Sequence, residues 1–144
     1  MDDIIKMLDE NLCYISHAVE GDRVFIKVKS ILKEPICPRC KASSSKVHSR
    51  YVRKFQDLPI DDKKVIIVIE NRKMFCQNLE CSYKKFVENF SFLPRGSKRT
   101  TRLEQEILRI SINCSSIASS KILSKGFVDI GKSAICRLIK KHKT

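Results

Sequence analysis

Two close cysteine pairs set the first limit on what this chain can fold into. The first is Cys37-Pro38-Arg39-Cys40, and after 35 intervening residues the second reads Cys76-Gln77-Asn78-Leu79-Glu80-Cys81. A gap of two or four residues lets a tight turn aim both sulfurs of a pair at one point. Two such turns can supply four thiolates to one tetrahedral zinc ion. The segment between the pairs must then fold back on itself, as two antiparallel strands of similar length do. We read this as a zinc ribbon with Cys37, Cys40, Cys76 and Cys81 as ligands; the bland alternative is four ordinary buried thiols. A redox role for Cys37 and Cys40 is the weaker choice, because no βαβ pattern surrounds them. Four thiolates fill the coordination sphere and leave no place for water, so a single structural Zn2+ is expected.

The compartment follows from the same residues. Seven cysteines are an odd number, and the chain opens Met1-Asp2-Asp3 rather than on a hydrophobic leader. The longest apolar run, Val65–Ile69, is far too short to cross a bilayer. A reducing cytosol is expected, with no membrane partner. Paired cysteines there mean metal more often than disulfide. Cys13, Cys114 and Cys136 are isolated in apolar surroundings and are expected to be small core residues. His48 is the nearest other candidate ligand, but it stands mid-strand beside a set already complete.

Charge narrows the partners. The net charge is +13, and it is unevenly placed. Residues 1–36 carry five basic and seven acidic residues, net −2; residues 37–99 carry fifteen and six, net +9; residues 100–144 carry nine and three, net +6. The excess begins where the cysteines begin, and a positive field of this extent favours a polyanion, usually nucleic acid. A solvated basic surface that serves solubility is the competing explanation.

Along the chain, Ile4, Ile5, Leu8 and Leu12 recur at helical spacing, so Asp2–Leu12 is expected to be a short amphipathic helix. Tyr14–Val19 and Arg23–Leu32 flank Glu20-Gly21-Asp22, a hairpin signal. Lys46–Phe55 alternates, a turn is expected over Leu58–Lys63, and a β-branched strand over Lys64–Met74 delivers Phe75-Cys76 to the metal. Tyr83–Phe92 is aromatic and basic without a clear period, and is expected to wrap over the ribbon. Pro94–Arg99 has the breakers and cations of a linker. Beyond it Thr101-Arg102-Leu103-Glu104 fits a capping box, with Leu103, Ile107, Leu108 and Ile110 as an apolar stripe. A second helix is expected over Ser115–Ser124 and a third over Lys132–Lys141, with a glycine-containing connection before the last. That order points to a helix-turn-helix.

The fold class expected is therefore α+β, a small antiparallel zinc ribbon followed by a three-helix helix-turn-helix domain. Residues 1–36 would be an N-terminal helix and hairpin packing on the ribbon. The ribbon itself would take 37–93, a basic linker 94–99, and the helix-turn-helix 100–144. In such a domain the last helix meets base edges with its N-terminal residues while flanking cations hold phosphates. Lys132, Ser133, Arg137, Lys140 and Lys141 are the candidates there. Arg95, Lys98 and Arg99 in the linker, and Arg50 and Arg53 on the ribbon hairpin, are weaker ones; solvated amphipathic faces are the alternative. No catalytic constellation is visible: there is no His-Glu-x-x-His, no glycine-rich phosphate loop and no nucleophile elbow, and the acids are scattered.

The order of features also resembles a known family. The Glu20-Gly21-Asp22 hairpin precedes the first cysteine pair, and Val47-His48-Ser49-Arg50-Tyr51 leads to Asp57-Leu58-Pro59. Arg72-Lys73-Met74-Phe75-Cys76, Asn78 inside the second pair, and Phe86 follow. This resembles the N-terminal part of bacterial insertion-sequence transposases of the ISL-three type. Ser115–Lys141 is similar to that family's helix-turn-helix. The resemblance implies zinc on the four cysteines and DNA contact by the last helix. It also implies an RNase H-like catalytic domain with an acidic triad further on. That domain is expected to be absent from a chain ending at Thr144, leaving a non-enzymatic protein. Such a protein would bind double-stranded DNA in a bacterial cytoplasm, associated with the nucleoid when bound, in particular at the terminal inverted repeats of an element, without cutting it. A second copy of the chain is a further candidate partner. A zinc-ribbon protein-interaction module and a transcription regulator are the alternative functions.

Overall fold

A computed structural model describes residues 2–94, 96–112, 118 and 130–143. In chain order the elements are α1 (Asp2–Lys6), β1 (Leu12–Glu20), β2 (Arg23–Ser30), β3 (Val47–Ile60), β4 (Lys63–Phe75), β5 (Lys85–Val87), α2 (Thr101–Ser111) and α3 (Lys132–Lys143). The five strands form one sheet in the order β1-β2-β4-β3, with β5 added to β4 in antiparallel register, Met74 opposite Phe86. β2 and β4 run parallel. Lys64 N donates to Asp22 O at 2.8 Å near the start of both strands, and Arg72 reaches Ser30 near the end of both.

The expected fold class does not survive this. The chain is mainly a mixed sheet of five strands with three short helices among the described residues, not a small ribbon followed by a three-helix helix-turn-helix domain. The alternation that reads as a short ribbon hairpin runs on through 14 residues of β3 and 13 of β4. Strands that long outreach the cysteine knuckles, and β4 bonds β2 along its other side. The expected helix over Ser115–Ser124 lies outside the described residues, apart from Ala118, which is helical. The two described C-terminal helices bury their stripes on each other: Leu103 and Ile107 of α2 cluster with Ile130, Ile135 and Leu138, and Leu58 of β3 packs against them.

Local chemistry explains the boundaries. The β1–β2 turn has Gly21 at φ +61°, and the β3–β4 turn has Asp61 at φ +55°, where a short polar side chain is tolerated. Leu58 and Pro59, expected to lie in that turn, belong to β3. β3 is the last strand of the sheet order, where a proline is tolerated. β2 buries Val24, Ile26 and Val28, while β4 buries Val65, Ile67, Ile69 and Asn71. Met74 falls on the opposite parity and is buried with Cys37 and Phe86. α1 stops at Lys6 instead of reaching Leu12. The Asp9 carboxylate accepts from Asn11 N at 2.8 Å, a local bond that competes with the helix. α2 is capped one residue earlier than its sequence indicates. Thr100 Oγ1 accepts from Leu103 N at 3.4 Å, and Glu104 is engaged by Ser97 instead of closing a capping box.

The chain divides into two compact units. One, built of Met1–His17, Ile26–Lys54 and Val68–Ser91, holds the four paired cysteines. The other, built of Ala18–Phe25, Phe55–Ile67 and Phe92–Thr144, holds α2 and α3.

Candidate metal centre and basic surfaces

Both knuckles are shaped by backbone bonds. In the first, Ile36 bridges Ser43, Cys37 N donates to Ala42 O at 2.9 Å, and Lys41 N donates to Cys37 O at 3.0 Å. Closing it places Lys41 at φ +64°, an uncommon conformation for a lysine. In the second, the Asn78 side chain accepts from Glu80 N at 3.1 Å, and Cys81 N donates to Asn78 O at 3.1 Å. Beneath them Cys37, Met74 and Phe86 form a small buried core, with Val47 and the other three sulfur-bearing side chains packed on it.

The four sulfurs converge. Cys37 Sγ lies 3.9 Å from Cys81 Sγ, Cys40 Sγ lies 3.5 Å from Cys76 Sγ, and all four are within 4.8 Å of one another. A tetrahedral ion with bonds of about 2.3 Å needs sulfurs roughly 3.8 Å apart, so the cluster has the dimensions of a four-thiolate zinc site. The electrostatics agree. The Ala42 N–H, outweighing the cost of lost hydration and helped by Asn78, pulls the Cys40 thiol down to about 6. At Cys76 the Asn78 N–H works the same way, but burial and the neighbouring thiols Cys40, Cys81 and Cys37 overrun it and push the thiol up to about 12. Burial first, then Cys40 and Cys37, raise Cys81. Four thiols this close cannot all ionise unaided, whereas a dication makes the all-thiolate state the favoured one. Zinc bound here would pin the two knuckles together as a structural ion.

The cationic candidates are less uniform. Lys132, Ser133, Arg137, Lys140 and Lys141 are exposed on α3. Arg137 and Lys141 line one cleft with Lys98 and Arg99, so the helix and the preceding segment bring four of the proposed contacts together. Arg50 is exposed on β3 and pairs with Glu70 at 3.6 Å; Arg53 is half-buried. Arg95 lies outside the described residues. Cys136 is exposed, contrary to the core position expected of it, because Ile135 and Leu138 occupy the inward face of α3. Cys13 is half-buried, and Cys114 lies outside the described residues.

Sequence reasoning missed several residues that matter. Beside the knuckles, Lys46 and Lys85 hold their ammonium groups 5.1 and 5.8 Å from the centre of the Phe75 ring, and Arg39 lies 5.1 Å over Tyr83. His48 meets Phe75 edge-on at 4.9 Å; lost hydration, then Lys85 and Lys73, hold it below the ordinary histidine range, so it adds no charge at neutral pH. Two buried carboxylates act as clamps. Glu88 accepts from Arg72 Nε at 3.0 Å and from its terminal nitrogen at 2.7 Å, and from Ser30 Oγ at 2.8 Å. Asp57 accepts from Thr100 Oγ1 at 2.7 Å, from Arg102 Nε at 2.8 Å and from an Arg102 terminal nitrogen. Only the Asp57-Leu58-Pro59 run carried a signal for the second clamp, and nothing local says which arginine answers it.

The geometry defines a class first: a four-cysteine zinc ribbon built on the end of a β-sheet. The comparisons then place it. Residues 33–81 match the zinc-finger of transposase IS204/IS1001/IS1096/IS1165, so the resemblance to the N-terminal region of ISL-three type transposases holds for the ribbon. The chain is also 31% identical over 85 residues to the transposase for insertion sequence element IS1001 of Bordetella parapertussis, a match covering 59% of this chain and 20% of that protein. The chain thus spans about a fifth of that relative's length. No solved structure matches it. Among the described residues, no helix is long and apolar enough to cross a membrane.

Proposed function

We propose that this chain is a DNA-recognition region of the transposase type, which binds double-stranded DNA at the terminal inverted repeats of a mobile element. The observation that carries the reading is the match of residues 33–81 to a transposase zinc-finger, in which all four sulfurs stand at zinc-binding distances. Charge supports it: the segment from residue 37 to the end carries all of the positive excess, residues 1–36 being net −2. In this reading zinc is a scaffold. It fixes the ribbon that presents Lys46, Lys85 and Arg50, while Lys132, Ser133, Arg137, Lys140 and Lys141 of α3 supply a second set of contacts. The contribution of this region is binding rather than cleavage.

The test is a fluorescence-anisotropy titration of labelled duplexes at several salt concentrations. Affinity should fall steeply with salt, with a log–log slope of about −0.9 for each phosphate neutralised. Duplexes carrying the terminal inverted repeats of a mobile element of the matched type should bind more tightly than shuffled ones. Affinity for DNA that is absent or flat with salt would refute the proposal and favour a protein-interaction module. Equal affinity for ends and shuffled duplexes would retire the inverted repeats as the target.

A further inference from the structure

The cleft between α3 and the segment before α2 has features that a solvated basic surface lacks. It encloses about 420 Å³ and is lined by Ser97, Lys98, Arg99, Glu104, Arg137 and Lys141 among others. Among the described residues that line it, four are cations and one is an acid, and that acid is already engaged, since Glu104 accepts from Ser97 Oγ at 2.6 Å. Four described arginines elsewhere find carboxylates: Arg50 pairs with Glu70, Arg72 with Glu88, Arg102 with Asp57 and Arg109 with Glu106. Arg99 and Arg137 have no such partner among the described residues. Arg99 Nε is moreover buried without a hydrogen-bond partner. A buried N–H is normally satisfied, and an exception calls for a group that completes it.

The cleft is also built rather than incidental. Gly96 turns the chain at φ +74°, and Ser97 Oγ accepts from Arg99 N at 3.0 Å, closing a local turn. Gln56 N donates to Lys98 O at 2.9 Å and Thr100 N to Gln56 O at 3.0 Å, so the segment is stitched to β3 on both sides of Arg99. The backbone that carries Lys98 and Arg99 is thereby held in place, and α3 presents Arg137 and Lys141 one turn apart.

From this convergence we propose that the cleft seats a single backbone phosphate of duplex DNA, held jointly by Lys98, Arg99, Arg137 and Lys141. A planar guanidinium with an unused N–H suits a phosphate oxygen, and the lysines add point charge. The inference rests on the DNA-binding reading but makes a separate claim, that four residues serve one phosphate.

The experiment is the same duplex titration with Arg137→Gln, the double variant Arg137→Gln/Lys141→Gln, and Lys27→Gln on β2 as a charge control outside the proposed contacts. Arg137, Lys141 and Lys27 are all exposed, so these variants should fold, which circular dichroism checks. Joint seating predicts that the double variant loses about tenfold or more in affinity while its salt slope falls by only about 0.9, one phosphate. A fall near 1.8 would mean two separate phosphates and overturn the proposal, as would an unchanged affinity in a wild type that does bind DNA. Should the wild type bind no duplex, the functional reading fails by itself. The cleft is then decided by titrating inorganic phosphate against amide resonances of residues 96–99 and 137. Saturable shifts there, lost in the double variant, support the seat; their absence removes it.

Discussion

The sharpest quantitative test of this structure lies at Asp57. Its side chain is 3% exposed and accepts from both Arg102 and the helix cap Thr100, while Arg102 itself is 40% exposed. Removing Arg102 from a buried carboxylate costs about 3–5 kcal/mol when both partners are dry, and the exposure of this guanidinium brings the expectation for Arg102→Ala to about 2–3 kcal/mol. Asp57→Ala removes three acceptor contacts and leaves the buried Thr100 hydroxyl without an acceptor, for about 3 kcal/mol. With a urea slope of about 2 kcal/mol per molar, that is a midpoint shift of roughly 1.5 M. The double variant should cost less than the sum, with a coupling of about 2 kcal/mol. Urea unfolding followed by circular dichroism at constant zinc gives all four corners of the cycle. Additive effects, or a loss below about 0.5 kcal/mol for Asp57→Ala, would show that the carboxylate does not anchor α2 and that the clamp reading is mistaken.

The remaining predictions concern the ribbon. Zinc ligands must be deprotonated, and Cys76 and Cys81 hold their protons well above neutral pH while Cys40 has already lost its own near 6. Loading one zinc at pH 7 should therefore release at least about two protons and weaken as pH falls, measured by calorimetry in buffers of different ionisation enthalpy; release below one proton would contradict the assigned ligand set. Purified protein should contain one zinc per chain by elemental analysis, and Cys76→Ser should lower that content and loosen the ribbon; a fully folded, metal-free wild type would count against the site. Glu88→Ala strands the half-buried Arg72 and should cost about 3 kcal/mol, with Glu88→Gln costing less because it keeps the shape and one acceptor. Equal losses in the two would mean that packing, not charge, matters there.

Part of this was readable directly. The two cysteine spacings sufficed for the ligand set, because a knuckle is a local turn and its geometry follows from two or four intervening residues. The hairpin at Gly21, the strand through Val65–Ile69 and the inward face of α3 at Ile135 and Leu138 were legible for the same reason: period and turn chemistry are local properties. The errors arose where a tertiary partner outvoted local preference. Pro59 looked like a turn residue until β3 proved to be an edge strand. Thr101 looked like a cap until Thr100 was found tied to Asp57, and the alternating segments looked like a small ribbon until β4 took β2 as a neighbour.

What the sequence determined alone is the chemistry available: four thiolates for one zinc, and a positive excess that begins at residue 37. Only the tertiary structure decided how that chemistry is deployed. It merged ribbon strands and N-terminal hairpin into a single mixed sheet, gave Asp57 and Glu88 their arginines 45 and 16 residues away, and gathered Lys98, Arg99, Arg137 and Lys141 around one cleft. The physical reason is range. Coordination turns and residue periodicity are fixed within a few bonds of backbone, whereas strand partners, buried ion pairs and shared clefts depend on which distant segments the sheet brings within reach.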